Sequence, residues 1–517
     1  MPNQSAQPES RVKKTLLNAR VNLIFYLLTL VLSFFSRKIF LDCLGADFVG
    51  LTGTLQNLLG FLNLAELGIG SAIGYVLYKP LFEHDQNKIN EIISVMGYLY
   101  RIIGFIILVS GIILSCFLPL IFPNTGFHIS LIFFAYYAFL GSSLIGYFIN
   151  YRQNLLGADQ RNYVVTGYFQ SMNILKTIIQ MALAYYTGSY YLWVAIELTF
   201  GILYSFILNW KINQTYPWLN TEIRQGRQLL KIHNQVIVKT KQLFIQKISY
   251  FVQYQTVPFL TYAFVNLQIV AFYGNYTIIT DKLAQFVNTF LESSGASIGN
   301  LIAEGNRKKI LNLFWELLSM RYFIGGLFSF AILILIDPFI QIWLGKEYIL
   351  SDIVVYMIVV NVFLSYTRGG VMQFLFGYGM FADIWAPLAE IVINLSVAIT
   401  CGALWGLPGI LLGGITSQLL IVFIWKPIYL FWKGFKAPIW QYWIGILKLL
   451  ICISIPAAII ILFILPMIGI IPTSNYTSWS LYAIINIGIY SIFTLLLMYV
   501  TSSGIRRFIG RFIKLKK

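Results

Sequence analysis

The sequence predicts an all-α polytopic membrane protein with about fourteen transmembrane helices. Residues of the AVILMFWYC set make up 58% of the 517-residue chain, and only 11% of its residues are charged. In a soluble domain roughly a quarter of the residues are charged. A weak internal repeat and an uneven distribution of lysine and arginine then predict how the spans are arranged.

The spans are predicted where long apolar segments lie between clusters of Pro, Gly, Asn or charged residues. Their approximate bounds are 15–39, 47–78, 91–121, 127–150, 161–187, 190–210, 241–265, 268–298, 310–336, 350–377, 382–403, 407–431, 441–467 and 478–502. The segment 241–265 begins with enough polar residues to lie partly at the membrane interface.

A hydrophobic, glycine-rich segment that contains charged residues occurs twice. The first copy is 48–81 and the second is 272–309; with one residue of slippage, Asn63 aligns with Asn288. Two such copies in corresponding positions of two halves are typical of a transporter made by duplication.

Lysine and arginine concentrate in alternate loops and in both terminal segments. The loops predicted on the other side contain only Arg37, Lys38 and Lys346. Under the positive-inside rule this places both termini in the cytoplasm. The net charge of +17 therefore reflects membrane topology, and we expect no nucleic-acid partner.

These patterns predict the organisation of the chain, in which each lobe contains six spans and the two lobes are related by a parallel pseudo-two-fold axis. The predicted parts are a disordered cytoplasmic tail at 1–14, a first lobe at 15–210, a basic cytoplasmic linker at 211–240, a second lobe at 241–433, two extra spans at 434–502 and a basic cytoplasmic tail at 503–517. The last segment can form a basic amphipathic helix on anionic lipid.

The run GLTGTLQNLLGFLNLAELGIGSAIGYVLYKPLFEHDQNKINEII, residues 50–93, resembles the second-helix region of Wzx-type polysaccharide flippases. These proteins belong to the multidrug/oligosaccharidyl-lipid/polysaccharide exporter superfamily. The order of two six-span lobes, a basic linker and two extra spans is similar as well. The resemblance implies a MATE-like fold whose two lobes surround a central cavity.

The same resemblance implies a function and its partners. The expected cargo is an undecaprenyl-pyrophosphate-linked oligosaccharide repeat unit, moved by alternating access from the inner to the outer leaflet of the cytoplasmic membrane. The product would be a surface polysaccharide such as O-antigen, lipopolysaccharide or capsule. Membrane lipid and other polysaccharide-assembly proteins are the expected partners, and no cofactor is expected.

Four cations are candidates for contact with an anionic cargo. Lys176 and Lys282 lie near the middle of spans 5 and 8, where exposure to lipid is costly. Lys176 can instead form a structural pair with Glu66 or Glu197. Arg20 and Arg368 lie nearer the cytoplasmic ends, where they suit bidentate phosphate capture or snorkelling to headgroups.

Acidic and amide residues within the spans are candidates for ion coupling or for contacts between helices. Asn63 and Glu66 have the spacing to share one helix face, and Asn288 and Glu292 repeat the pattern in the second copy. Two further candidates, in spans 8 and 11, are Asp281 and Glu390. Asp281 adjoins Lys282, and neighbours on a helix do not face each other.

Other functions remain open at this stage. The first is a MATE-type drug/cation antiporter, which would favour acidic residues in its cavity. The second is a membrane glycan polymerase or ligase, which typically needs a large outside loop with catalytic groups. A channel is disfavoured by the duplication. The four cysteines and three histidines are dispersed, so we expect no metal site, and no catalytic residue is predicted.

Overall fold

A computed structural model of the protein is helical throughout the part that it describes, as the composition predicts. The described residues are 11–66, 69–123, 125–159, 161–233, 235–291, 298, 301–302, 305–380 and 383–515. Within these ranges every regular element is a helix, and no strand occurs.

The N-terminal half consists of long helices joined by short connections. They are α1 (Arg11–Leu44), α2 (Ala46–Leu62), α3 (Ile69–Glu83), α4 (Gln86–Ser115), α5 (Leu118–Ile121), α6 (Ile129–Phe148), α7 (Gln153–Ala158), α8 (Asn162–Thr187), α9 (Tyr190–Thr215), α10 (Gly226–Ile232) and α11 (Gln235–Phe264). Short 3-10 turns form at Asn63–Glu66, Asn150–Arg152 and Ile223–Gln225.

The C-terminal half also consists of helices joined by short connections, and some of these helices continue directly into π-helical turns. Its helices are α12 (Leu267–Leu291), α13 (Arg307–Trp343), α14 (Asp352–Thr367), α15 (Gly369–Gly377), α16 (Trp385–Trp405), α17 (Leu407–Ser417), α18 (Lys426–Tyr429), α19 (Trp440–Ile459), α20 (Tyr476–Thr501) and α21 (Ser503–Leu515). The π-helical turns are Gln418–Trp425, Leu430–Phe435 and Ile460–Ile464.

The chain divides into two compact units, an N-terminal unit at Met1–Phe259 and a C-terminal unit at Leu260–Lys517. The linker predicted at 211–240 is part of the N-terminal unit because it packs on α4. His233 Nε2 lies 2.8 Å from Glu91 Oε2, and a Cβ on Gly226 would lie 2.4 Å from the Cβ of Tyr98. The linker is therefore bound to α4 rather than being a free tether.

Ten helices among the described residues are long and apolar enough to cross a membrane. These are Arg20–Leu44, Gln86–Ser115, Ile129–Phe148, Tyr190–Thr215, Arg307–Trp343, Asp352–Gly377, Trp385–Trp405, Leu407–Phe435, Trp440–Met467 and Tyr476–Thr501. The chain is a multi-pass membrane protein.

Four other predicted spans, at 47–78, 161–187, 241–265 and 268–298, are helical where the structure describes them but are not among these ten. Each contains polar residues or a break. Helices of this kind need protein or water beside them, because polar groups in contact with lipid are costly.

The predicted span 47–78 is not one continuous helix. After α2 ends at Leu62, the chain forms the 3-10 turn Asn63–Glu66, and α3 begins at Ile69. The side chains of Asn63 and Glu66 bond to other helices, so tertiary contacts stabilise a turn whose 3-10 bonds are weaker than those of an α-helix. A broken helix with polar groups at the break is tolerated in a membrane where protein satisfies them.

Two segments agree with the sequence: the start of α4 follows a simple capping rule, and the predicted basic tail is helical. Asp85 caps α4, and the backbone N–H of Lys88 donates to its carboxylate at 3.0 Å, which lowers the pKa of Asp85. The basic tail forms α21 as predicted. It packs on α13, where Ile505 is buried and Arg507 Nε lies 3.5 Å from Glu316 Oε1.

Small residues let α16 and α17 approach each other closely. A Cβ on Gly409 would lie 2.0 Å from the carbonyl oxygen of Cys401, and a Cβ on Gly413 would lie 2.6 Å from that of Asn394. Such close backbone approach is the usual way in which membrane helices gain van der Waals contact.

We expect Gly409→Ala to lower the free energy of unfolding by about 1–3 kcal/mol, because the added methyl group would force the two backbones apart. Thermal unfolding of the purified protein in detergent measures this. Gly488→Ala is the matched control, since that glycine lies in α20 with open space at its Cβ position. Equal stability of both variants would contradict the close packing of α16 on α17.

Candidate functional site

A cluster of polar side chains surrounds Glu66 inside the N-terminal unit. Tyr100 of α4 donates its hydroxyl to Glu66 Oε1 at 2.6 Å, and Tyr147 of α6 donates to Glu66 Oε2 at 3.0 Å. Both tyrosines are buried. Each carboxylate oxygen of Glu66 thus accepts a hydrogen bond from one tyrosine hydroxyl.

Asn63 belongs to the same cluster. Its Oδ1 accepts hydrogen bonds from Ser143 Oγ and from the Tyr147 hydroxyl, both at 3.1 Å. The 3-10 turn therefore brings Asn63 and Glu66 onto one side, as their sequence spacing predicts, and Tyr147 bonds to both. A carboxylate in this setting can bind a proton or a small cation, or it can join three helices.

Lys176 and Glu197 form an ion pair between the neighbouring helices α8 and α9. Lys176 Nζ lies 2.7 Å from Glu197 Oε1, and Gln180 Nε2 donates to Glu197 Oε2 at 3.2 Å. Both charged side chains are less than a fifth exposed. Of the two partners that the sequence offers for Lys176, the structure places Glu197, not Glu66, beside it.

The candidates on α12 lie in the C-terminal unit. Asp281 is exposed and Lys282 is partly exposed, and α12 is too polar to be among the ten apolar spans. The side chain of Asn288 and the whole of Glu292 lie outside the described residues. Whether the second copy repeats the Glu66 cluster therefore stays a prediction.

Arg368 lies between the last residue of α14 and the first residue of α15. Beside this junction, Arg321 of α13 is 4% exposed and donates from Nη1 to the carbonyl oxygen of Tyr366 at 3.2 Å. A Cβ on Gly369 would lie 2.3 Å from that nitrogen. Arg321 thus occupies a notch that the glycine leaves open.

Two more candidates have contrasting surroundings. Arg20 is exposed on α1. Glu390 of α16 is 9% exposed, and Asn394, one turn later, is 3% exposed. The burial of Glu390 agrees with a structural contact and also with a role in binding a cation.

Sequence reasoning missed several polar groups. Lys426 lies in α18, between two π-helical turns, and is buried. Its Nζ is 2.6 Å from Asp383 Oδ2, which also accepts from Trp425 Nε1 at 3.2 Å. The sequence does not single out Tyr100 and Tyr147, because Glu66, to which both hydroxyls donate, is distant from them in sequence.

The described residues contain no group of three or more His, Cys, Asp or Glu side chains that could hold a metal ion. Within that part of the chain, the polar clusters combine carboxylates with amides, hydroxyls and single cations. These donors suit proton or ion binding and anion contact.

No protein-family model matches the chain, and no curated protein matches its sequence. Solved structures match its fold. "Lipid II flippase MurJ, inward closed conformation" has a TM-score of 0.64 at 14% identity, over 94% of this chain and 98% of its own. An inward-facing multidrug resistance MATE family transporter of the MOP superfamily has a TM-score of 0.53 at 13% identity, over 80% of this chain and 98% of its own. At these identities the likeness establishes the fold.

The Lys176–Glu197 pair predicts a double-mutant result. Lys176→Met or Glu197→Leu alone should lower the free energy of unfolding by about 1–3 kcal/mol, because each leaves a partly buried charge without its partner. The double variant should recover most of that loss. Thermal and denaturant unfolding in detergent measure all three variants.

Lys211→Met is a matched control, since Lys211 Nζ donates to Gln214 Oε1 at 3.4 Å in an exposed position. Additive losses in the double variant would show that the two charges do not stabilise each other, and would contradict the pair.

Proposed function

We propose that the protein is a flippase for an undecaprenyl-pyrophosphate-linked oligosaccharide repeat unit. It moves this lipid from the inner to the outer leaflet of the cytoplasmic membrane by alternating access, for the synthesis of a surface polysaccharide such as O-antigen or capsule. Both termini lie in the cytoplasm in this proposal. The observation that carries it is the match over nearly the whole chain to the fold of a lipid-linked precursor flippase.

The extent of the two matches supports a lipid-linked cargo over a free drug. The MurJ structure covers 94% of this chain, whereas the MATE transporter covers 80% while using 98% of its own length. The part without a MATE counterpart is large enough to contain the two predicted extra spans and the tail.

The extra helices α19 and α20 are well packed in the C-terminal unit. The rings of Phe330 and Tyr490 stack with centroids 4.4 Å apart. Trp479 Nε1 donates to the carbonyl oxygen of Leu335 at 3.0 Å. These helices are therefore an integral part of that unit, and we propose that the prenyl tail of the cargo stays in lipid beside them.

The proposed contacts with the pyrophosphate are Lys282 and Arg368, with Arg20 on the side where cargo is loaded. Cations suit an anionic headgroup, and Arg can bind phosphate through two parallel hydrogen bonds. Lys176 is a weaker candidate because Glu197 already neutralises it. Outward movement of a negative charge gains about 2.3 kcal/mol per 100 mV of membrane potential.

We assign ion coupling to the Glu66 cluster. Its carboxylate is held by hydroxyl donors from Tyr100 and Tyr147, which provide hydrogen bonds but no neutralising charge. A proton or a cation that binds there would alter the bonds that join the broken α2–α3 segment to α4 and α6. Asp281, Asn288, Glu292 and Glu390 are the corresponding candidates in the C-terminal unit.

The main alternative is a MATE-type drug/cation antiporter, favoured by the same Glu66 carboxylate. A drug-susceptibility panel on a deletion strain distinguishes the two: increased sensitivity to cationic drugs with normal surface glycan supports the antiporter. A glycan polymerase or ligase is less well supported, because the solved structures that match are named as transporters.

We expect Lys282→Ala to reduce export and to cause lipid-linked glycan to accumulate inside the cell. Loss of one charge-assisted contact should weaken transport about tenfold. Surface glycan and lipid-linked intermediates are measured at equal protein abundance. Lys308→Ala is the control, since Lys308 is an exposed cation of the same unit. Wild-type export in both Lys282→Ala and Lys176→Ala would overturn the role of the cations.

Glu66→Gln should keep the protein folded but reduce export, because the amide occupies the same space and cannot carry the charge. Protein abundance and thermal stability should stay close to wild type. Tyr100→Phe is the companion variant, since it removes one donor and keeps the carboxylate. Wild-type export by Glu66→Gln would leave Glu66 as a contact between helices and would overturn the coupling assignment.

A further inference from the structure

A chain of asparagine side chains at one end of the N-terminal unit holds the guanidinium of Arg152 in place. Arg152 Nη2 donates to Asn209 Oδ1 at 2.7 Å, and Nη1 donates to Asn213 Oδ1 at 2.9 Å. Both acceptors lie on α9, one turn apart. The side chain is therefore oriented by two fixed contacts rather than being free in solvent.

The acceptors are themselves anchored in the protein interior. Asn209 Nδ2 donates to Asn150 Oδ1 at 3.1 Å and to the carbonyl oxygen of Ser205 at 2.9 Å. Asn150 Nδ2 in turn donates to Ser205 Oγ at 2.8 Å. Asn150 and Ser205 are buried. A buried network thus ends at one cation near the surface.

The charge of Arg152 has no acidic partner within the described part of the chain, where its two contacts are both amide oxygens. The nearby Arg161, by contrast, pairs with Asp159 at 2.9 Å. Two of the five guanidinium N–H groups bond to the asparagines, which leaves three donors and the full positive charge for an anion.

The residues near Arg152 have the character expected at the level of lipid headgroups. Trp210 follows Asn209 directly and is 56% exposed, as expected for a tryptophan at the membrane interface. Phe206, three residues before Asn209 and so on the same helix face, is 71% exposed, and Ile149 is 46% exposed. Apolar surface for acyl chains thus adjoins a cation for a phosphate.

We propose that Arg152, oriented by Asn209 and Asn213, binds the phosphate of an anionic membrane phospholipid, whose acyl chains lie along Ile149 and Phe206. The positive-inside prediction puts this lipid in the inner leaflet. Arginine suits this role because its planar fork matches two phosphate oxygens. The site is separate from the contacts proposed for the cargo, so it stands whether or not the protein is a flippase.

The test is native mass spectrometry of the full-length protein in detergent with phosphatidylglycerol or phosphatidylcholine. Wild type should retain phosphatidylglycerol in preference. Arg152→Gln should weaken that retention about tenfold, as for the loss of a charge-assisted phosphate contact. Lys211→Gln removes the same charge from the same end of α9, where Lys211 donates to Gln214 Oε1 in an exposed position, and should retain lipid like wild type.

Two further variants keep the proposal testable if Arg152→Gln does not fold. Arg152→Lys keeps the positive charge but loses the planar guanidinium that can bond to two phosphate oxygens. Asn213→Ala keeps the arginine but removes one of the two amide oxygens that orient it. Both variants should retain less phosphatidylglycerol than wild type. Lower thermal stability with unchanged lipid retention would show that Arg152 only joins α9 to the 3-10 turn, and would overturn the proposal. An equal loss in Lys211→Gln would do the same.

A competition arm distinguishes a lipid from a soluble anion. Inorganic phosphate is added at constant ionic strength, with chloride as the reference salt. Phosphatidylglycerol should stay bound, because its acyl chains contribute to binding. Displacement by millimolar inorganic phosphate would identify a site for soluble phosphate and would overturn the assignment to a lipid.

Discussion

The requirement that every polar group inside the membrane find a partner shapes the interior of this protein. Hydrocarbon offers no hydrogen bonds, so an unsatisfied group there costs several kcal/mol. Several charged groups find their partners within their own unit: Lys176 bonds to Glu197, Glu66 to two tyrosines, and Lys426 to Asp383. A helix that carries such groups must pack against other parts of the protein, and not face lipid, on the side where those groups lie.

These clusters differ in what they leave available for a ligand. In the Lys176–Glu197 pair the two charges cancel, and Gln180 bonds to the second carboxylate oxygen, so the pair is complete. The Glu66 cluster has donors but no counter-charge from its two tyrosines, and it lies at a break in a helix. A site that must bind and release an ion during transport needs a charge that the protein itself does not neutralise. This contrast is the physical reason why we propose Glu66 for ion coupling and rank Lys176 as the weaker candidate for contact with the cargo.

Much of the fold follows from the sequence because apolar length determines where a helix can cross the membrane. Helices such as Trp440–Ile459 and Tyr476–Thr501 lie where apolar runs predict them. The break at Asn63 could not be predicted, since its spacing to Glu66 also fits a continuous helix, and only Tyr147 and Ser143 show why it forms. The Lys426–Asp383 pair could not be predicted for a related reason: the sequence does not show that Asp383, 43 residues away, approaches Lys426.

We propose that the protein moves a lipid-linked pyrophosphate sugar between leaflets. The most direct measurement is translocation by the purified protein in proteoliposomes, with a short undecaprenyl-pyrophosphate-linked saccharide in the leaflet of loading and a membrane-impermeant reagent that detects its arrival in the other. We predict protein-dependent translocation that an imposed membrane potential accelerates. Absence of translocation by folded protein, together with transport of a cationic drug in the same vesicles, would contradict the account.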